Sequence, residues 1–206
     1  MTETTGSSDA NVLVVSCHPL ADSLCAQLRE HILVHLSKSA TNVTHLDLYA
    51  AGFDPVLSPD ERAGYHAKPY PTDAVGQEAA DLSAADILIL VFPVWWFGFP
   101  AMLKGWFDRV WVPGVAYDHA DNAGPIKPRL LKLRQCVAVT TMGSPWWIDR
   151  FILFRPVRRI LARALIGACA PKCRFNMLTH YAADSADKNS IDRFKGRVDK
   201  VLASIL

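Results

Sequence analysis

The sequence predicts an α/β protein, a parallel sheet with helices on both faces. After Asp86, residues 87–92 form an unbroken apolar run, too short for a buried helix and without the polar alternation of a half-exposed strand. Similar short runs stand at 12–16 and 136–141. Segments with helical spacing separate the strand candidates, so strand and helix alternate five times, the order of a parallel sheet with crossover helices.

Taken in order, residues 12–16 are the first strand. A short polar loop follows, and then a helix with leucines at 24, 28, 33 and 36 runs to about residue 38. Unpaired N–H groups and the positive end of the helix dipole converge on such a loop, which suits a phosphate; Asp22 or Ser23 is equally an ordinary N-cap. Residues 43–49 alternate as the second strand. Residues 50–71, with Gly52, Pro55, Pro59 and Gly64, form a loop of a length that usually carries function. A helix is expected over 72–84.

Pro93 cannot donate to a ladder and ends the central strand. Gly98 and Pro100 supply a turn and a first helical position for a helix over 101–110. Between them lie Val94, Trp95, Trp96 and Phe97, at the strand end where open α/β sheets bind ligands. A loop over 111–119 carries Tyr117 and His119, and the strand at 136–141 runs into Met142 and Gly143. From 156 the chain turns helical, with Val157, Ile160, Leu161, Ala164 and Leu165 on one face and Arg155, Arg158, Arg159 and Arg163 on another. That basic stripe is either a solvated face or a docking surface for acidic lipid, a partner or the phosphates of NADPH. A fifth strand over 172–180 precedes a closing helix over 187–206.

Composition sets the outer limits. Residues 11–206 of the 206 suit one domain, and polar residues 1–10 read as a disordered tail without a signal-peptide core. A net charge of +2 does not call for nucleic acid. The five cysteines lack disulfide-scaffold or zinc spacing, so they read as thiols in a reducing, cytoplasmic setting, with no metal expected. Residues 87–103 are uncharged but fall short of the roughly 20 residues of a membrane-spanning helix, and two prolines and a glycine interrupt them.

The stretch from Phe92-Pro93 through Trp96-Phe97, Pro100-Ala101 and Leu103-Lys104-Gly105-Trp106-Phe107-Asp108-Arg109-Val110 resembles the signature of the NAD(P)H:quinone oxidoreductase family. The resemblance extends to His18 with Ser23 after the first strand, Asp47-Leu48-Tyr49, Tyr117 with His119, and Thr140-Thr141-Met142-Gly143. It implies a flavodoxin-like three-layer sandwich with strand order 2-1-3-4-5. It also implies a flavin, FAD slightly ahead of FMN, with NAD(P)H as co-substrate and two-electron, ping-pong reduction of quinones.

On that resemblance the flavin is held by His18, Ser23, Leu24 and Cys25, by Pro93, Val94, Trp95, Trp96 and Phe97, and by Thr140, Thr141, Met142 and Gly143. Tyr117 and His119 would face the second substrate, and family members are homodimers with sites at the interface. The resemblance weakens after Gly143: Ile148 and Phe154 stand roughly where the family places a Tyr and a His for charge stabilisation. An acidic one-electron carrier is disfavoured by the slightly basic chain. A quinone-reductase-like ancillary subunit of a membrane ion-efflux system is the alternative, with the arginine stripe as its docking face.

Overall fold

A computed structural model describes residues 10–39, 41–67, 70, 72–120 and 124–206. The expected tail lies outside the described residues except for Ala10, which already opens the first strand. Five parallel strands form the main sheet: β1 (Ala10–Ser16), β2 (Thr41–Asp47), β3 (Ile87–Pro93), β6 (Gln135–Met142) and β7 (Arg174–Tyr181). Their order is β2-β1-β3-β6-β7, the 2-1-3-4-5 order expected once a separate two-stranded ladder of β4 (Tyr117–Asp118) and β5 (Lys127–Pro128) is set aside.

Every residue of β3 is buried, because the strand is sandwiched between helices. Its side chains alternate between two cores. Ile87, Ile89 and Val91 join Leu28, Ile32 and Leu36 of helix α1 (Leu24–Leu36) and Phe194, Val198 and Leu202 of helix α7 (Lys188–Ile205). Leu88, Leu90 and Phe92 face the opposite layer, with Leu82 of α3 (Gly76–Ala84), Leu103, Trp106 and Val110 of α4 (Ala101–Val110), and Val157 and Leu161. Each large apolar side chain removed from water in this way contributes about 1.5–3 kcal/mol.

Two segments depart from the expected pattern. The loop after β2 contains a short helix α2 (Pro59–Ala63), started by a capping box in which Ser58 and Glu61 serve each other's backbone N–H. Glu61 also accepts from Arg109 Nε at 2.8 Å, and the pair pins this loop to α4. A Cβ on Gly105 of α4 would overlap the Pro55 backbone, so only glycine permits that approach.

The helix expected from 156 is α5 (Pro156–Arg159), π-turns over Ile160–Ile166, and α6 (Gly167–Cys169). The wide turns shift the buried set to Val157, Leu161 and Ile166, leaving Ile160 and Ala164 exposed. A 3.6-residue period cannot anticipate that shift. Among the described residues, no helix is long and apolar enough to cross a membrane, and no cluster of His, Cys, Asp and Glu could hold a metal.

Candidate functional site

The carboxyl ends of β1, β3 and β6 open into a cleft of about 860 Å³. Each strand contributes the loop that follows it. After β1, Ser23 caps α1: its hydroxyl accepts from Ala26 N at 3.1 Å and donates to the Leu20 carbonyl at 2.9 Å. The N–H groups of Leu24 and Cys25 find no acceptor among the described residues, so two donors and the helix dipole face the cleft mouth together. His18 Nδ1 accepts from Leu20 N at 3.0 Å, and burial lowers its pKa. A neutral ring accepting at Nδ1 carries its proton on Nε2.

After β3 the chain turns sharply, with Gly98 N donating to the Trp95 carbonyl at 2.9 Å. Trp96 and Phe97 both hold the left-handed conformation, at φ 50° and 56°, which bulky residues rarely adopt. Backbone strain of this kind persists where the surroundings enforce it, and here it turns the Trp96 side chain out to 97% exposure. Trp96 therefore contributes nothing to the packing of this chain. Trp95, 41% exposed, stands edge-on to the His18 ring at 5.8 Å. Val94 N donates to the Thr141 carbonyl at 2.8 Å and ties this loop to the end of β6.

The loop after β6 supplies Thr141, Met142, Gly143 and Ser144. The Thr141 hydroxyl meets the Cys25 thiol at 3.2 Å. Thr140 does not reach the cleft: on the other face of the strand it is fully buried, bonded to Thr179 Oγ1 at 2.9 Å and near the Leu178 carbonyl. The cleft thus gathers His18, Ser23, Leu24, Cys25, Pro93, Val94, Trp95, Trp96, Phe97, Thr141, Met142 and Gly143 from the sequence reading, and adds Leu20, Ser144, Ala183 and Asp184.

The last two come from the loop after β7. Ala182, left-handed at φ 51°, donates its N–H to the Ser144 carbonyl at 3.2 Å and folds that loop over Gly143. A Cβ on Gly143 would stand 2.5 Å from Asp184 Oδ2. Strand order was the available signal, since the neighbour of β6 must end beside the same cleft.

Tyr117 and His119 do not line this cleft. Their rings meet edge to face at 5.5 Å, His119 Nε2 lies 3.1 Å from the Tyr65 carbonyl, and its ring lies 4.7 Å from that of His66. Burial, with the neighbouring Tyr65 hydroxyl, pushes the Tyr117 phenol well above its ordinary range. The cluster is built from the loop that carries α2 and the loop after α4.

This architecture has known relatives. The chain is 41% identical over 108 residues to an uncharacterized NAD(P)H oxidoreductase, YcaK, of Escherichia coli (strain K12), covering 52% of this chain and 55% of that protein. It is 33% identical over 150 residues to NAD(P)H dehydrogenase (quinone) 1 of Rattus norvegicus, covering 64% and 53%. The match therefore spans about half the length of these relatives. An FMN-dependent NADH-azoreductase from Bacillus anthracis, solved in complex with FMN, superposes with TM-score 0.74 at 12% identity over 95% of this chain and 99% of that one, a likeness of fold. The family model described as flavodoxin-like fold matches residues 10–203, and this chain belongs to that family.

Proposed function

We propose that this chain is a flavin-dependent NAD(P)H oxidoreductase that reduces quinones or related acceptors by two electrons. One observation carries the reading: the loops after β1, β3 and β6 converge on a single cleft with a different chemistry at each side. The unpaired N–H groups of Leu24 and Cys25 suit a phosphate at a helix N-terminus. The exposed faces of Trp95 and Trp96 suit a flat ring system. The backbone of Thr141 to Gly143 would meet the polar edge of that ring. A bound flavin supplies the hydride acceptor and donor of such a reaction, and the protein binds, orients and excludes water.

FMN replaces FAD as the flavin favoured. The support is the FMN-bound neighbour of like fold together with the donors at α1, which suffice for a terminal phosphate. NAD(P)H and a quinone-type acceptor are taken from the names of the relatives, and the proposal has both substrates use the one cleft in turn, a ping-pong order. The relatives give the ancillary-subunit alternative no support.

Tyr117 and His119 stand apart from their own chain's cleft, so a part for them in acceptor binding requires a second subunit that brings them to it. A homodimer with sites at its interface belongs to the proposal. So does a cytoplasmic setting, which suits five thiols that are all free.

The test is a stopped-flow experiment on flavin-loaded protein. Anaerobic NADH or NADPH should bleach the flavin absorbance, and a quinone should restore it with one hydroquinone formed per flavin. A bound flavin that neither nucleotide reduces would overturn the assignment.

A further inference from the structure

The loop after β7 brings one charged side chain to the cleft and gives it no partner. Asp184 stands in a single three-residue turn (Ala183–Ser185), and the Ala182 before it has no side chain to cap that turn. Backbone bonds hold the turn in place: Ala182 N donates to the Ser144 carbonyl at 3.2 Å, and Ser185 N closes on the Ala182 carbonyl at 3.1 Å. Ala182 takes the left-handed conformation at φ 51° to do so, a strain that persists where the surroundings enforce it. The Asp184 carboxylate itself accepts no hydrogen bond and joins no ion pair among the described residues. An acid at a helix start often serves the helix dipole, but a turn of three residues sums almost none.

Its placement is nonetheless specific. The carboxylate rests against Gly143, where a Cβ would stand 2.5 Å from Oδ2 and push it away. Gly143 belongs to the loop proposed to meet the polar edge of the flavin ring. Charge in the cleft is one-sided. Among the described residues that line it, Asp184 is the only carboxylate, and none is lysine or arginine. The ring of His18 is neutral, because burial lowers its pKa. The donors that α1 presents are backbone N–H groups, which carry no full charge. Before any ligand enters, the lining of this chain's cleft therefore carries one net negative charge, and it lies at the Gly143 end.

We propose that Asp184 tunes the flavin: its fixed negative charge lowers the reduction potential of the ring bound beside Gly143. This rests on the flavin assignment above. A flavin that has accepted a hydride carries one more negative charge than the oxidised ring, held towards its polar edge. The backbone donors of Thr141 to Gly143 would favour that charge, and the Asp184 carboxylate opposes them. Like charges close together at a protein rim shift such an equilibrium by about tenfold. Asp184 thereby makes the loaded protein a stronger reductant and extends its acceptors to those of lower potential.

The experiment compares the FMN-loaded chain with Asp184→Asn and Asp184→Glu in equilibrium reductive titrations against a dye of known potential. At any given dye ratio, Asp184→Asn should show about a tenfold higher ratio of reduced to oxidised flavin, a rise of about 30 mV for a two-electron couple. Asp184→Glu, which keeps the charge, should stay near the parent. Melting temperatures should hold in both variants, because the carboxylate has no partner to lose. Oxidised FMN should bind Asp184→Asn at least as tightly as the parent. A midpoint unchanged or lowered in Asp184→Asn, with FMN bound, would overturn the inference and leave the flavin assignment standing. So would a rise matched by Asp184→Glu, which would assign the effect to the shape of the loop rather than its charge. A chain that takes up no FMN would overturn the flavin assignment, and this inference with it.

Discussion

The Cys25 thiol and the Thr141 hydroxyl lie 3.2 Å apart, one in the first turn of α1 and the other at the end of β6. The contact joins the loop proposed to hold phosphate to the loop proposed to hold the flavin ring. Burial pushes the Cys25 thiol up to about 11. Only the thiolate reacts, and at pH 8 that leaves on the order of one thiol in a thousand ionised. Iodoacetamide should therefore modify Cys25 on the timescale of unfolding, as peptide mapping after timed quenching would show. Rapid labelling of Cys25 in the native protein would mean that this end of the cleft is open.

Trp96 offers a test of the cleft without a stability cost. At 97% exposure its removal takes no packing from the core, so Trp96→Ala should leave the melting temperature within the range of ordinary surface changes, about 0.5 kcal/mol. Flavin affinity should fall by roughly tenfold, because stacked aromatic area is worth about 1 kcal/mol or more beyond burial. Fluorescence titration with FMN reads the affinity directly. Unchanged affinity with unchanged turnover would remove Trp96 from the site.

The Glu61–Arg109 pair makes a pH prediction. Burial raises the Glu61 carboxyl, but the Ser58 N–H and the Arg109 guanidinium outweigh it and hold the net pKa below the ordinary value. A depressed folded pKa contributes stability above the unfolded pKa of about 4.3, and that contribution is lost as pH falls through the folded value. Urea midpoints should be flat near neutrality and decline in acid. Glu61→Gln, which leaves the buried Arg109 with only the more distant Asp54 carboxylate at 4.0 Å as counter-charge, should cost about 1.5–3 kcal/mol at pH 7 and show a shallower acid decline. An unshifted midpoint in that variant would show the pair to be incidental.

Tyr117 and His119 are tested through the two half-reactions. Tyr117→Phe and His119→Ala should slow reoxidation by quinone more than reduction by NAD(P)H, and flavin content should be unchanged. Equal effects on both halves, or on neither, would leave their cluster a structural device that ties the loop after α4 to the α2 segment.

Much of this was legible in the sequence because the central strands carry their burial in composition. A run such as Ile87 to Phe92 has one physical use in a chain of this length, and the repeated strand-helix order fixes the sheet direction. The aromatic loop was legible because Pro93 and Pro100 fence it. Illegible features were those set by geometry beyond nearest neighbours. The wide turns at Ile160–Ile166 break the period used to assign faces, so Ile160 and Ala164 were read inward and lie outward. Alternation along β6 turns Thr140 away from the cleft that Thr141 lines. Asp184 enters the cleft through a left-handed alanine, a conformation no local pattern announces. Helix α2 did carry a signal, Ser58-Pro59 with Glu61, which the surrounding prolines and glycines masked as loop.

The most direct measurement is the absorption spectrum of the purified chain after incubation with FMN and removal of excess, with mass analysis of the cofactor released on denaturation. A yellow protein holding about one FMN per chain, bleached by NADH or NADPH, is the predicted result. A colourless protein that takes up neither FMN nor FAD would contradict it.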